Sequence, residues 1–173
     1  MSAGRLPPMA ELELTRTPGD RRLYAIDGVG TLRLGGMWSR GGTAEAGQSS
    51  WRLHRHGLLK PTVQAYDAAG AVVGEFKPRA IRRGGPLSWG DRELTLRPAS
   101  AWRERYALAD GERELAVLDG KGWGKRPVKL VVEDPAAIDP GLLLFAAFVV
   151  RGLAEDAGAA AGTAAGGAGV VGS

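Results

Sequence analysis

Short runs in which apolar and polar residues alternate follow one another along most of the chain. Within Arg92–Arg97, for example, Leu94 and Leu96 fall on one face and polar side chains on the other. This period of two predicts half-buried β-strands. The runs that we assign to strands are Glu11–Arg16, Arg21–Asp27, Gly30–Gly35, Ser50–His54, Thr62–Asp67, Val72–Lys77, Arg92–Arg97, Arg103–Ala109, Glu112–Leu118 and Pro127–Glu133.

The segments between these runs contain residues that favour tight turns. Asp27-Gly28, Asp110-Gly111 and Asp119-Gly120 tolerate the positive φ angles of short hairpins, and Asp67-Ala68-Ala69-Gly70 has a similar composition. A succession of hairpins predicts a mainly β fold, a meander of about 10–12 short antiparallel strands. Because an open sheet of this kind would leave unpaired edges, we expect the strands to close into a barrel.

One segment near the C-terminus breaks the alternation. Leu142–Val150 is a run of apolar residues without a polar face, preceded by Asp139 as an N-cap and Pro140 at the first helical position. Nine helical residues rise about 13.5 Å, whereas a membrane span needs about 30 Å, and a longer span would include Arg151 and Glu155. The sequence therefore predicts a helix over 140–154 that is buried inside the barrel rather than in a membrane.

These elements divide the chain into three parts. Residues 1–10 form a flexible lead, and 11–156 form the barrel domain with its central helix. Residues 157–173 are rich in glycine and alanine, and we expect a disordered tail because they offer little surface to bury.

The order of the elements resembles that of the tubby-like C-terminal superfamily, which includes the plant LURP-one-related proteins and the phospholipid scramblases. The resemblance lies in Tyr66–Phe76, in the strand from Trp102 to Asp110 and in Asp139–Val150, and it covers 11–156. It implies a closed antiparallel barrel of about twelve strands around a central hydrophobic helix. Some members bind phosphoinositides or act on membranes, and others have no known activity. No signature of the family's lipid site maps onto this chain residue by residue.

The amino-acid composition limits which kinds of site and partner the protein can have. The chain has no cysteine, which excludes disulfides, thiolate metal sites and a cysteine nucleophile, and no apolar leader is visible at its N-terminus. These features predict a cytoplasmic protein. The net charge is +4 and the pI is about 9.8, which favours acidic partners. A background excess of arginine in the composition is the alternative explanation of this charge.

Catalytic and metal-binding motifs are missing. His54 and His56 lie two residues apart, but zinc needs three or four ligands, and Arg52 shares their face. Ser88 lacks the first glycine of a nucleophile elbow, and Gly124-Lys125 lacks the rest of a phosphate-binding loop. The sequence predicts a protein that is not an enzyme and has no metal or cofactor.

Two basic segments are candidates for ligand binding. The first, Asp119–Arg126, combines glycines with Lys121, Trp123, Lys125 and Arg126, which suit an anion or a membrane interface. The alternative is a loop whose tryptophan folds back over the core. The second segment contributes Arg79, Arg82 and Arg83, which could extend the patch or simply cover the outside of a strand.

The leading hypothesis is a binding module for anionic membrane lipid or a related acidic ligand, with peripheral membrane association. The alternative is a structural or protein-interaction domain without a small-molecule site. Nucleic acid is disfavoured because aromatic residues make up only 6% of the chain and no stacking motif is visible. The pattern leaves open whether the two basic segments meet in space, and which oligomeric state the protein adopts.

Overall fold

A closed antiparallel barrel surrounds one C-terminal helix. The computed structural model describes residues 9–36, 40–80, 83–100, 104–121, 123 and 126–165. These described residues contain twelve strands, each paired with the next along the chain, and the first and last strands pair to close the barrel. The elements are β1 (Ala10–Arg16), β2 (Leu23–Ile26), β3 (Gly30–Leu34), β4 (Gly41–Ala46), β5 (Ser49–His56), β6 (Thr62–Tyr66), β7 (Val72–Phe76), β8 (Gly85–Trp89), β9 (Arg92–Pro98), β10 (Arg105–Asp110), β11 (Arg113–Asp119), β12 (Val128–Val132) and α1 (Pro140–Ala165).

The barrel is completed by the pairing of β1 with β12, in register from Ala10 opposite Val132 to Leu14 opposite Val128. Inward and outward residues alternate along strands such as β9, where Leu94 and Leu96 are buried. The predicted mainly β fold, a closed barrel enclosing a hydrophobic C-terminal helix, is confirmed.

Two strands were not predicted because their composition is poor in β-forming residues. β4 contains Gly41, Gly42 and two alanines, and β8 begins with Gly85-Pro86. A Cβ on Gly42 would lie 2.6 Å from the Arg33 carbonyl oxygen and 3.3 Å from the ring of Phe148 in α1. The small residues of β4 therefore let the wall approach the helix closely, a tertiary requirement that overrides strand propensity.

The helix α1 begins as predicted and fills the barrel. Asp139 caps it, since its Oδ1 accepts hydrogen bonds from the N–H groups of Gly141 at 2.7 Å and Leu142 at 3.3 Å. Every residue from Leu142 to Val150 is buried. A helix that is apolar on all faces needs such a complete enclosure, and the strands supply it.

The helix is longer than the predicted range of 140–154. It continues to Ala165, so part of the segment 157–173, which we expected to be disordered, is helical. Alanine has the highest helix propensity of all residues, which explains how an alanine-rich segment extends a helix that has already formed. Residues 166–173 lie outside the described part of the chain.

Aromatic rings pack around the start of the helix. The ring centroids of Trp51 and Trp89 are 5.7 Å apart, and Trp89 lies 5.6 Å from Phe145. Gly141 sits directly beneath the two tryptophans, because an added Cβ would lie 2.6 Å from Trp89 and 2.7 Å from Trp51. The absence of a side chain at this position allows the helix to enter the barrel.

The connections of the meander divide the barrel into two ends, since successive hairpins alternate between ends. We call one the tight-turn end; α1 starts there. The other is the helix-exit end, towards which α1 runs. Connections at the tight-turn end are 27–29, 47–48, 67–71, 90–91, 111–112 and 133–139. Connections at the helix-exit end are 17–22, 35–40, 57–61, 77–84, 99–104 and 120–127.

The Asp119-Gly120 pair does not form the tight hairpin that we predicted. It opens the longer connection 120–127, and Gly120 is packed against the helix, where an added Cβ would lie 2.9 Å from the Cβ of Ala154. Gly120 therefore allows close packing against the helix and does not form a turn with positive φ.

The substitution Gly141→Ala tests how tightly the helix entrance is packed. We expect it to lower the free energy of unfolding by about 1–3 kcal/mol, the usual cost of overpacking, because the new methyl group overlaps two tryptophan rings. Urea denaturation measures this change. Gly158→Ala is the control, since nothing lies within 4 Å of a Cβ there. Equal unfolding midpoints for wild type and Gly141→Ala would contradict the prediction.

Candidate functional site

Charge is segregated along the barrel axis. The described residues of the helix-exit connections include two acidic residues, Asp20 and Glu104, against a larger basic set. The tight-turn connections, all of whose residues are described, contain acidic residues and no lysine or arginine. The basic set is Arg21, Arg22, Arg40, Lys60, Lys77, Arg79, Arg83, Lys121 and Arg126. The acidic set is Asp27, Asp67, Asp91, Glu112, Glu133, Asp134 and Asp139.

Several acidic residues of the tight-turn end have a structural role. Asp67 accepts hydrogen bonds from the N–H groups of Ala69 at 3.0 Å and Ala71 at 2.9 Å. Asp134 likewise accepts one from Ala136 at 3.0 Å. Carboxylates favour such turns, so local chain geometry accounts for acidic charge at this end.

Turn geometry does not explain the basic residues of the helix-exit end in the same way, although Arg40 donates to the carbonyl oxygen of Gly57. Of the nine, only Lys77 forms an ion pair with a carboxylate of a described residue, Glu75, at 3.0 Å. The others leave a surplus of positive charge on the loops of one face. This face is therefore the candidate functional surface of the protein.

The predicted loop Asp119–Arg126 lies at the helix-exit end. Lys121 is exposed, and its N–H donates to Asp119 Oδ1 at 3.0 Å. Arg126 is also exposed and lines a groove of about 370 Å³ together with Arg16 and Arg21 of the β1–β2 region. Lys125, with Gly122 and Gly124, lies outside the described residues.

Trp123 packs back against the barrel. Its ring meets Tyr24 edge to face with centroids 5.0 Å apart, and the guanidinium carbon of Arg151 lies 5.5 Å from its centroid. Its indole Nε1 is buried and has no hydrogen-bond partner among the described residues. This arrangement corresponds to the alternative that we considered for this loop, a tryptophan folded over the core.

The second basic segment belongs to the same end of the barrel. Arg79 and Arg83 are exposed on the connection between β7 and β8, and Arg82 lies outside the described residues. Arg79 lines a cavity beside α1, whereas Arg126 lines the separate groove near β1. The two segments therefore share one end of the barrel, and these two arginines face different cavities.

The cavity beside α1 was missed by the sequence analysis. It has a volume of about 590 Å³ and lies at the helix-exit end, between the last buried turns of α1 and the wall formed by β3 to β7. Its polar lining includes Arg40, Lys60 and Arg79. No local pattern predicts it, because its walls come from loops that are distant in sequence.

Two leucines beside these cations are largely exposed. Leu58 is 81% exposed and Leu59 is 97% exposed, in the connection between β5 and β6, next to Lys60. An apolar pair between Gly57 and a Lys-Pro sequence is unusual in a surface loop, where turn-forming polar residues dominate. The pair was a further sequence signal for this face, beside the two basic segments that we had singled out.

Two carboxylates offset part of the basic charge. The backbone N–H of Arg22, followed by the Arg33 guanidinium, holds the pKa of Asp20 below its usual value. Hydrogen bonds from the Gln64 side chain and then from Lys77 lower the pKa of Glu75. Both groups therefore stay ionised at neutral pH.

The two histidines lie on the outer face of β5, and His56 is its last residue, directly before the helix-exit connection 57–61. Their ring centroids are 4.4 Å apart, and His56 Nε2 lies 3.0 Å from the hydroxyl oxygen of Tyr66. Within the described part of the chain, no group of three or more His, Cys, Asp and Glu residues could hold a metal ion. Nor does any helix there have the length and apolar character needed to cross a membrane.

Replacing Trp123 with alanine tests whether the ring is part of the core. We expect the free energy of unfolding to fall by about 2 kcal/mol, because the contacts with Tyr24 and Arg151 are lost. Lys121→Ala is the control in the same loop, expected to stay within about 0.5 kcal/mol of wild type. Chemical denaturation of the two variants gives the comparison. A Trp123→Ala variant as stable as wild type would show that the ring is not packed.

Comparison of the chain with protein-family models, with curated proteins and with solved structures finds no match in any of the three. The resemblance to the tubby-like superfamily therefore rests on the order of strands, turns and helix alone, and it stays a prediction.

Proposed function

We propose that this protein is a non-catalytic binding module that docks its helix-exit end on an anionic membrane surface. The observation that carries the proposal is the segregation of charge, with basic side chains of which all but Lys77 form no ion pair with a described carboxylate, and two exposed leucines on the same face. In this proposal the protein is cytoplasmic, joins the membrane peripherally and belongs to the tubby-like superfamily.

The two kinds of side chain suit two parts of a bilayer. Each lysine or arginine near an anionic surface contributes about 1 kcal/mol of attraction, which screening by salt weakens. Exposed leucines gain free energy when they enter the boundary between head groups and acyl chains. Leu58 and Leu59 supply the apolar contact, and Lys121 and Arg126 belong to the charged surroundings.

Two features of the barrel suit a docking role. The strands and the buried helix make a rigid support, and the basic residues of the helix-exit loops lie together at one end of it. Trp123 acts as a packing residue in this proposal, and the charge of its loop provides the attraction. In this proposal Leu58 and Leu59 enter the membrane, and not Trp123 as the sequence had suggested.

A protein-interaction domain is the second candidate function. The observation that favours it is the length of α1, which continues to Ala165 beyond the buried segment, with Glu155, Asp156 and Gly158 exposed. These three exposed residues offer an attachment for a partner. Binding to a protein that persists at high salt would support this second function, whereas membrane docking through charge weakens as salt rises.

The charge-neutralising variant Lys121→Gln/Lys125→Gln/Arg126→Gln tests the electrostatic part of the docking. We expect its affinity for vesicles that contain phosphatidylserine to fall roughly a hundredfold at low salt, since three charges contribute about 3 kcal/mol. Vesicle co-sedimentation at low and physiological salt measures the change.

The control for this variant removes the same charge elsewhere, as Arg52→Gln/Arg92→Gln/Arg113→Gln on the barrel wall and the tight-turn end. We expect it to bind vesicles nearly as wild type does. An equal loss in both triple variants, or no loss in the first, would overturn the proposed docking face.

The variant Leu58→Ser/Leu59→Ser tests the apolar part. We expect vesicle affinity to fall about tenfold or more while the slope of affinity against salt stays unchanged, because burial of apolar surface does not depend on counterions. Val72→Ser is the matched control, since Val72 is half exposed but lies near the tight-turn end. If both variants bind vesicles equally well, the two leucines do not enter the membrane.

A further inference from the structure

The cavity beside α1 has the size and lining of a ligand site. Its volume of about 590 Å³ falls within the range of pockets that hold small molecules, about 300–1,000 Å³. We propose that it binds one amphiphilic anion, a molecule with a single apolar chain and a carboxylate head. This inference does not rest on the proposed docking to membranes.

The deep part of the cavity is apolar. Leu34, Val63, Phe76 and Phe148 line it, and all four belong to the hydrophobic core. Phe148 is 9% exposed, the largest exposure within the buried run Leu142–Val150, and it is one of the residues that line this cavity. An apolar chain laid against α1 would contact these side chains, whose remaining exposure is 9% or less, and would complete their enclosure.

The mouth of the cavity is basic. Arg40, Lys60 and Arg79 lie on three different connections of the helix-exit end. None of these three forms an ion pair with a carboxylate of a residue that the structure describes. Arg40 donates to the carbonyl oxygen of Gly57 at 2.8 Å, which holds it between two of the loops. Guanidinium groups bind carboxylates well because two parallel hydrogen bonds are possible.

The carboxylates in the cavity wall are already paired. Arg151 contacts Glu155 at 2.8 Å within α1, and Arg55 of β5 forms an ion pair with Asp156. These two pairs neutralise four charges and leave the three cations at the mouth in excess. The charge of the site therefore suits a single negative head group at the opening.

Gly152 keeps the cavity open. It lies in α1 on the cavity wall, and a Cβ there would meet only Arg55 Nη1, at 3.5 Å. A glycine inside a helix costs about 1 kcal/mol relative to alanine, so packing and helix propensity alone would favour a larger residue. The missing side chain is what leaves room for a ligand beside Phe148.

Titration with dodecanoate, followed by calorimetry and by amide NMR shifts, tests the proposal. We expect one saturable site, with shifts centred on Val63 and Gly152, and binding of dodecanol at least about tenfold weaker because the charged contacts are lost. The variant Lys60→Gln/Arg79→Gln should lower dodecanoate affinity by a similar factor. Absence of saturable binding, or equal binding of dodecanol, would overturn the proposal.

The variant Gly152→Leu fills the cavity without changing the charge. We expect it to abolish dodecanoate binding, while Gly158→Leu, the same change on an open part of α1, leaves binding intact. Gly152→Ala adds only a methyl group and should weaken binding while raising the unfolding midpoint, which keeps the test valid if the leucine variant does not fold. Unchanged affinity in the folded Gly152 variants would place the ligand elsewhere.

The proposed membrane docking and the proposed cavity site can be tested independently of each other. Gly152→Leu should retain vesicle binding, and Lys121→Gln/Lys125→Gln/Arg126→Gln should retain dodecanoate binding, because neither Lys121 nor Arg126 is among the described residues that line the cavity. Loss of dodecanoate binding in the triple variant would contradict the location of the cavity site and would leave the docking face untouched.

Discussion

Enclosure of the apolar helix by the closed sheet is the interaction on which the rest of the structure depends. Burial of each large side chain between Leu142 and Val150 stabilises the fold by about 1.5–3 kcal/mol, and only a complete wall can bury all faces of one helix. The dependence is mutual, since an empty barrel of this width would have no core. Small residues such as Gly42 and Gly141 adjust the gap between wall and helix.

The direction of the helix also separates the two ends of the barrel by chemistry. α1 enters through the tight-turn end, where short hairpins use carboxylates and glycines to reverse the chain. At the other end, longer connections surround the departing helix and are free of that requirement. Positive charge and exposed leucines accumulate where turn geometry does not select the residues, which is why this end is the natural place for a binding function.

At the helix-exit end, tertiary packing determines the role of a residue more than its local sequence motif does. Trp123 lies in the most suggestive loop of the sequence, yet its ring contacts Tyr24 and Arg151 and helps to cover the core. Gly152, which no motif singles out, opens a cavity against Phe148. The binding potential of this face thus depends on a glycine and two leucines as much as on its cations.

The amino-acid sequence by itself determined the alternation of the strands, the hairpin turns, the N-cap at Asp139 and the burial of the apolar helix. These are local properties, because side-chain period, turn chemistry and helix length act over a few residues. Only the tertiary structure decided that Arg79 and Lys121 share one end of the barrel, that β4 and β8 are strands, and that a cavity lies beside Gly152. These features depend on which distant segments the closure of the barrel brings together, and no local pattern of residues contains that information.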